Sequence, residues 1–544
     1  MNPFIPFDSN GNFRSVGKSE TLRQSVIRGA GANIAAAASS FALQIGSVAI
    51  LARLLTPADF GIVTMVTTFS LLFRSFGLNG FTELILQREE LTHSLVSNLF
   101  WINLGIGTIL TLAFAGSGPW LARFFHNPAV AQVAEGLSLT IGIGSLGWIH
   151  LALLNRARYF RTTAIIGFLA YVLLTVVSIL LAKTGWHYWA LVGGTITQVV
   201  TTVVCAWWIC RWTPSWPRRS PGTGSSLKFV TNVYLHFAFN YSTRNTDNLL
   251  VGWRFGAPAL GFYKKAYDMF VLPQSQLLSP LSAVVVSTLS RLNADREQYR
   301  RYFLRGISVL ALLGMGIGMD FTLVGRDIMR FILGPGWEEA GRIFTIFGLG
   351  VGVMLLYNAH GWIHLSIGRP DRWLRWGLIE FVCTAGLFLL MLRWGPSGIA
   401  LAWTASYFLL LLPGFWYAGK PINLRVGDVI AEVWKFFLAS ILAGFGAALI
   451  TRFTPLFTTT SGSLGALERI VLVSSVFSAL YLIGITVLHG GPKPIKDSVG
   501  LVRELLPKRA AKSISEPNGD LGGAAVVVRQ QQDDPVRLRP ESSS

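Results

Sequence analysis

The sequence predicts an all-α membrane protein that crosses the bilayer many times. Its 544 residues are 52% hydrophobic, and only 13% of them are charged. Soluble domains carry about 25% charged residues, so this composition is typical of polytopic membrane proteins. About fourteen segments hold the run of roughly 20 apolar residues that a membrane-spanning helix requires.

The predicted spans fall into two lobes of six helices and a C-terminal pair. The domains that follow from this division are a cytoplasmic N-terminal segment (1–28), an N-lobe (29–210), a cytoplasmic linker (211–228), a C-lobe (229–418), the two additional helices (431–489) and a cytoplasmic, mostly disordered tail (490–544).

Matching segments in the two lobes indicate an internal repeat. The ordered matches are GWIHL at 147–151 and again at 361–365, LLTPADFG (54–61) with RFGAPALG (254–261), and Gly185 with Gly395. Similar offsets in the same order favour duplication of a six-helix unit. Because six is even, both copies enter the membrane from the same side. This predicts a parallel repeat with a central cavity between the lobes.

Loop charges predict the orientation. Lys and Arg are concentrated in the loops on the side of the N-terminus, so both termini are expected in the cytoplasm. The net charge of +19 does not indicate nucleic-acid binding, because the charges lie between apolar spans and at the termini. The three cysteines lie in apolar runs and form neither a disulfide framework nor a metal motif.

Two motif matches lack the context that their chemistry needs. GIGSLG at 142–147 has the G-x-G-x-x-G spacing, but it lies inside a span with no preceding strand. His360 and His364 have the spacing of a zinc helix, but Gly361 stands where a metalloprotease has glutamate. Helix packing explains the first, and a span end near the membrane interface explains the second. Neither a metal nor a cofactor is expected.

The seventh span carries a polar stripe. At about 100° per residue, one arc of the helix holds Asn232, His236, Asn240, Thr243, Arg244 and Asp247. A charge at the bilayer centre costs about 2.5–3.5 kcal/mol on insertion scales. The stripe is therefore expected to face a water-filled cavity or a partner helix.

Two interpretations of this stripe compete. Arg244 and Asp247 could neutralise each other as a structural pair, or the stripe could line a transport route. The repeat-related positions, Gln44 and Ser47, are polar but uncharged, so the scaffold itself does not require the charges. This favours the transport route.

Other spans carry embedded charges as well. Spans two, seven and eight hold more cations than carboxylates, and the charges are Arg74, Arg244, Lys264, Lys265, Asp247 and Asp268. A net cationic cavity favours an anionic ligand.

Several long segments resemble one family of membrane proteins. The segments are ARLLTPADFGIVTMVTTFSLLFRSFGL (52–78), LTHSLVSNLFWINLGIG (91–107), PWLARFFHNP (119–128) and LLVGWRFGAPALGFYKKAYDMFVLPQSQLLSPLSAVV (249–285). They are similar to the polysaccharide transport proteins of the MOP superfamily, the Wzx-type flippases of lipid-linked oligosaccharides. The exopolysaccharide and capsule branch fits best.

The resemblance implies two lobes with alternating access and a substrate carried on undecaprenyl pyrophosphate. It also implies that Arg74, Arg244, Lys264 and Lys265 hold the pyrophosphate. The polar stripe and its neighbours complete the expected substrate cavity with His236, Asn240, Asp247, Asn248 and Tyr267, and Tyr241 is a further expected sugar contact. Asp247 or Glu380 would titrate if an ion drives transport. Glu83 departs from the small residue expected there and is left out of the site.

The sequence therefore predicts a flippase of the bacterial inner membrane that moves lipid-linked repeat units for exopolysaccharide, capsule or lipopolysaccharide synthesis. Membrane lipid and the polysaccharide polymerase and co-polymerase are the expected partners, and no nucleic acid is expected. The alternatives are a cation-coupled drug or solute exporter of the same superfamily, a peptidoglycan-precursor flippase, and a membrane glycosyl polymerase or ligase. An exporter of cationic drugs would need a net acidic site, and a polymerase would need a larger periplasmic domain than the loops here provide.

Overall fold

The computed structural model describes residues 4–14, 39–75, 80–218, 223–453, 462–496 and 500. Within these ranges the chain is built from α-helices, with isolated β-bridges only near the N-terminus. The predicted all-α membrane fold is confirmed.

The helices follow the predicted order. Those of the first lobe are α1 (Ser39–Leu54), α2 (Pro57–Ser75), α3 (Thr82–Gln87), α4 (His93–Gly116), α5 (Gly118–Phe124), α6 (Ala129–Ser145), α7 (Trp148–Arg156), α8 (Phe160–Lys183) and α9 (Tyr188–Ile209). Those of the second lobe are α10 (Thr223–Pro273), α11 (Ser279–Arg291), α12 (Arg296–Leu333), α13 (Glu338–Asn358), α14 (His360–Ser366), α15 (Pro370–Met391) and α16 (Gly395–Gly419). The additional pair is α17 (Val426–Phe453) and α18 (Gly462–Leu488).

Fewer membrane spans are recognised by length and hydropathy than the sequence predicts. Among the described residues, eight helical stretches are long and apolar enough to cross a membrane, or nine if the bent pair α6 and α7 is one span. One of these stretches, Pro370–Ile422, contains both α15 and α16. Of the remaining predicted spans, 29–51 and 60–79 lie partly outside the described residues, and 229–251 and 259–289 lie in more polar helices, so the number fourteen stays a prediction.

Backbone conformation is similar at equivalent positions of the two repeat units. Gly185 and Gly395 both adopt positive φ, at 80° and 73°, in the turns before the last helix of each lobe. Glycine tolerates this conformation without a steric penalty. The helix before each GWIHL segment also breaks there: α6 ends at Ser145 and α13 ends at Asn358.

α10 is divided into two helical segments by a turn at Gly256, where φ is 81°. The first segment, residues 223–255, starts earlier than the predicted lobe boundary at residue 229. The second segment, residues 257–273, continues through a π-helical turn (Gln274–Leu278) into α11. This irregular turn follows Pro273, which lacks the amide proton that an α-helix needs.

The lobes meet along α2 and α10. Their closest approach involves Gly61 and Gly261, which the repeat relates. A Cβ atom on Gly61 would lie 1.8 Å from the Ala257 carbonyl oxygen, and one on Gly261 would lie 1.9 Å from the Pro57 carbonyl oxygen. Residues 57 and 257 are also repeat-related, so the contact is close to two-fold symmetric. We call these four residues the glycine contact.

The N-terminal segment and the linker both pack against the first lobe. Phe4 and Phe7 are buried there, and the Phe4 amide donates to the Ile209 carbonyl. The linker is held by Asn98, which exchanges hydrogen bonds with the backbone of Arg218, and by Trp101, which donates to the Ser215 carbonyl. Residues 15–28 of the predicted N-terminal segment, and most of the predicted tail, lie outside the described residues.

The additional pair docks on α12. Arg469 donates to the Asp327 carboxylate from Nη2 at 2.6 Å, and the Tyr481 hydroxyl donates to the Leu312 carbonyl at 2.9 Å. Ser474 also donates to Asp320 at 3.1 Å, so this embedded carboxylate serves helix docking. The pair is therefore fixed to the second lobe by polar contacts as well as by apolar packing.

Candidate functional site

Asp247 points into the interior of the second lobe. Its side chain is fully buried, and one carboxylate oxygen accepts hydrogen bonds from the Tyr263 hydroxyl at 2.7 Å and from Trp403 Nε1 at 3.0 Å. The other oxygen accepts from the Asn248 amide at 2.8 Å. A buried carboxylate needs such donors, because an unpaired one costs several kcal/mol.

Arg244 lies one turn earlier on the same helix but is exposed. Among the ion pairs of the described residues, none joins Arg244 to Asp247. Arg244 is instead within electrostatic range of Tyr267, Glu380 and Tyr407. The interpretation of Arg244 and Asp247 as a self-neutralising pair therefore receives no support, since Asp247 is stabilised by Tyr263 and Trp403.

An aromatic cluster surrounds these charges. Tyr267 and Trp403 have ring centroids 6.1 Å apart, and Trp403 stacks on Tyr407 at 5.7 Å. Tyr263 stacks on Tyr267 at 6.1 Å. Of this cluster, only Tyr267 is among the site residues predicted from the sequence. The i, i+4 spacing of Tyr263 with Tyr267, and of Trp403 with Tyr407, was the available signal.

Glu380, on α15, lies at the edge of the aromatic cluster. It is beside the Tyr357 hydroxyl, which accepts a hydrogen bond from Trp376 Nε1 at 2.8 Å. Arg244 is within electrostatic range of the same carboxylate. Asp247 and Glu380 are thus parts of one polar network in the second lobe, linked through Arg244 and Tyr407.

Arg74 lies across the lobe interface from the seventh span. Its guanidinium is within electrostatic range of Tyr241. Tyr241 and Arg244 are three residues apart and therefore neighbours on one helix face. Arg74, on α2, therefore lies near the part of α10 that carries Tyr241 and Arg244. In the described part of the chain, neither arginine forms an ion pair with a carboxylate within 4 Å.

The two lysines do not join this arginine pair. Lys264 forms an ion pair with Asp268 one turn away. Lys265 lies 4.1 Å from the ring centroid of Phe60, at the N-terminal end of α2. Phe60 and Arg74 are about 21 Å apart along the helix at 1.5 Å per residue. A single diphosphate cannot contact Lys265 and Arg74 together in this conformation.

The structure describes the side chains of only some of the remaining predicted site residues. Asn248 is buried, and its side-chain amide donates to the Asn245 side-chain oxygen at 3.2 Å. The side chains of His236 and Asn240 lie outside the described part of the chain. Ser47, the repeat-related counterpart of Asp247, is also buried and accepts from Thr175 at 3.1 Å. This position is polar and buried in both lobes, but it is charged in only one.

The histidines His360 and His364 are both buried, in and at the start of α14. His360 Nδ1 contacts the Tyr357 carbonyl, and the His364 ring lies 5.9 Å from that of Tyr417. Among the described residues, no group of three or more His, Cys, Asp or Glu side chains is arranged to hold a metal ion. The glycine-rich segment GIGSLG (142–147) lies at the C-terminal end of α6, where Gly144 packs against the Trp148 ring.

The fold is that of a multi-pass membrane protein. The solved lipid II flippase MurJ, in an inward closed conformation, has a TM-score of 0.67 at 14% identity and covers 84% of this chain and 98% of MurJ. An inward-facing multidrug resistance MATE family transporter of the MOP superfamily has a TM-score of 0.57 at 14% identity, covering 71% and 94%. These likenesses show the transporter fold.

The family follows from the sequence comparison. Residues 50–342, more than half of the chain, match the family described as polysaccharide biosynthesis protein, and the chain belongs to that family. The succinoglycan biosynthesis transport protein ExoT of Rhizobium meliloti (strain 1021) is 22% identical and covers 79% of this chain and 86% of its own. The lipopolysaccharide biosynthesis protein WzxC of Escherichia coli (strain K12) is 23% identical, covering 77% and 86%. The family resemblance noted from the sequence is confirmed.

Proposed function

We propose that this protein flips undecaprenyl-pyrophosphate-linked oligosaccharide repeat units across the bacterial inner membrane by alternating access. The units would serve exopolysaccharide, capsule or lipopolysaccharide synthesis. The names of ExoT and WzxC associate those relatives with succinoglycan transport and lipopolysaccharide biosynthesis. The distribution of Lys and Arg along the sequence supports a cytoplasmic location for both termini.

The observation that carries the proposal is the arginine pair at the lobe interface. Arg244 is exposed on α10, and Arg74, on α2 of the opposite lobe, is within electrostatic range of Tyr241. Guanidinium groups bind phosphates through two parallel hydrogen bonds. A diphosphate between the lobes would neutralise both arginines, whereas a cationic drug would be repelled by them. This argues against the exporter alternative.

The two lysines take different roles in this proposal. Lys264 is paired with Asp268. Lys265, on α10, packs against Phe60 at the N-terminal end of α2, whereas Arg74 lies at the C-terminal end of that helix. We infer that Lys265 contacts the diphosphate only after the lobes rearrange. Tyr241, Tyr267 and Asn240 remain proposed sugar contacts, because aromatic faces and amides bind sugar rings. The polymerase and co-polymerase remain proposed partners.

Flipping makes a specific prediction about the substrate pool. Cells that lack this protein are expected to accumulate complete lipid-linked repeat units on the cytoplasmic face. The units can be located with a membrane-impermeant sugar-oxidising reagent, applied first to intact spheroplasts and then to opened membranes. Labelling only after opening supports flipping. Complete units that are labelled in intact spheroplasts would place the block in polymerisation and contradict the proposal.

We further propose that Asp247 and Glu380 couple transport to an ion gradient, since they are the carboxylates of the polar network around Arg244. Asp247→Asn and Glu380→Gln are each expected to remove the acceleration that an imposed sodium or proton gradient gives in proteoliposomes. Gradient-independent exchange should remain. Glu135→Gln, at an exposed position on α6, is the control and should keep the acceleration. A full gradient response in both site variants would rule out this coupling role.

A further inference from the structure

A basic cleft lies outside the lobe interface, at the cytoplasmic end of the second lobe. It has a volume of about 850 Å³ and lies between the start of α12, the end of α16 and the start of α17. Its polar lining residues are Arg300, Lys420, Asn423, Arg425 and Asp428, and Trp416 forms an aromatic wall. None of the lining residues belongs to α2 or α10.

The charges of this cleft are not neutralised by the protein. Arg300, Lys420 and Arg425 face one carboxylate, Asp428, which accepts a hydrogen bond from the Arg425 backbone amide at 3.2 Å. Arg300 donates to the Asn423 carbonyl at 3.1 Å, which fixes the position of its guanidinium. Among the ion pairs of the described residues, none includes these three cations. The cleft therefore favours an anion.

An apolar surface continues from the cleft along the membrane-spanning part of α16 and α17. These helices are joined by a short connection and make few contacts with each other. The exposed side chains along them include Leu412 and Trp416 on α16 and Ile430 and Trp434 on α17. Further along, the rings of Phe408 and Phe437 approach to 6.4 Å. A ligand of the cleft can therefore extend an apolar chain along this surface.

Lys420 and Trp416 lie where the basic cleft meets the apolar surface of α16 and α17. The Lys420 ammonium lies 3.6 Å from the Trp416 ring centroid, and Trp416 is 56% exposed. Tryptophan prefers the level of lipid headgroups, and basic residues at the cytoplasmic surface attract anionic lipids. The cations thus lie at headgroup depth, directly above an apolar surface.

We propose that this cleft binds the phosphate headgroup of an anionic membrane phospholipid, whose acyl chains lie along α16 and α17. A soluble anion would not use the exposed Leu412, Trp416, Ile430 and Trp434. The lipid-linked substrate would have to enter the lobe interface, which this cleft does not border. The bound phospholipid would hold the connection between α16 and α17 against the start of α12. The inference is independent of the proposed flippase function.

Native mass spectrometry of the purified full chain tests the proposal with phosphatidylglycerol and phosphatidylcholine as probes. The test variant is Arg300→Gln/Lys420→Gln/Arg425→Gln. The control variant, Arg161→Gln/Arg211→Gln/Lys228→Gln, removes three exposed cations at the same end of the molecule. Each juxtamembrane cation contributes about 1 kcal/mol to anionic-lipid binding. We expect retained phosphatidylglycerol to fall at least about tenfold in the test variant and to stay near wild type in the control.

Competition distinguishes the sources of phosphate. Glycerophosphoglycerol, which has the headgroup but no chains, is expected not to displace the lipid, and displacement by it would overturn the role of the apolar surface. Preferential retention of undecaprenyl phosphate over phosphatidylglycerol would overturn the assignment to a phospholipid. Equal lipid loss from both triple variants would show general surface electrostatics and contradict the site. If the triple variant does not fold, Lys420→Gln alone should lower retention about fivefold, and unchanged retention would contradict the site.

Discussion

Replacing Arg244 by alanine is expected to abolish polysaccharide export while leaving the protein in the membrane. Arg244 is exposed and forms none of the ion pairs of the described residues, so its removal breaks no salt bridge, and the charge it leaves without a neighbour is that of Glu380. A lost arginine–phosphate contact in a desolvated interface costs about 2–5 kcal/mol, or more than tenfold in affinity. Polymer secretion and the membrane level of the protein are the measurements.

Two further variants separate the phosphate contact from a structural role. Arg244→Lys keeps the charge but loses the bidentate geometry, so intermediate export is expected. Arg254→Ala, at an exposed position on the same α10, is the matched control and should export normally. Export at wild-type level in Arg244→Ala would show that this arginine does not bind the substrate. Arg74→Ala is expected to match Arg244→Ala, because both arginines would bind one diphosphate.

Substitutions at the glycine contact are expected to have the second large effect. Alanine at Gly61 or Gly261 would place a methyl group less than 2 Å from a backbone carbonyl oxygen of the other lobe. Backbone atoms cannot rotate away as a side chain can, so α2 and α10 must separate. Overpacking of this kind costs about 1–3 kcal/mol. The equilibrium between protein in which α2 and α10 touch at the glycine contact and protein in which they are separated there should therefore change by about 5- to 150-fold.

The measurements are polymer export and the reaction of a cysteine at Phe262 with a membrane-impermeant thiol reagent in a cysteine-free background. Both Gly61→Ala and Gly261→Ala should lower export and raise the labelling rate. Gly167→Ala, in α8, is the control, because its added methyl would meet nothing within 4 Å. If the contact variants label and export like Gly167→Ala, the lobes do not need this close approach.

The sequence by itself determined the fold class, the repeat and the presence of unusual charges. Helical membrane spans follow from local apolar runs, because a backbone in lipid must satisfy its own hydrogen bonds. The paired segments 54–61 and 254–261 were visible as a repeat, and they form the glycine contact. The cost of an arginine in a membrane span was also sufficient to identify Arg244 as a functional candidate.

Only the tertiary structure decided where each polar side chain points. Helical periodicity placed Arg244 and Asp247 on one stripe, but Asp247 turns to Trp403, which lies 156 residues further along the chain. Helical periodicity likewise could not show that Asp268 neutralises Lys264 while Lys265 lies against Phe60 of the other lobe. Such partners depend on which helices pack together and at what height. Those contacts join residues far apart in the chain, and no local pattern encodes them.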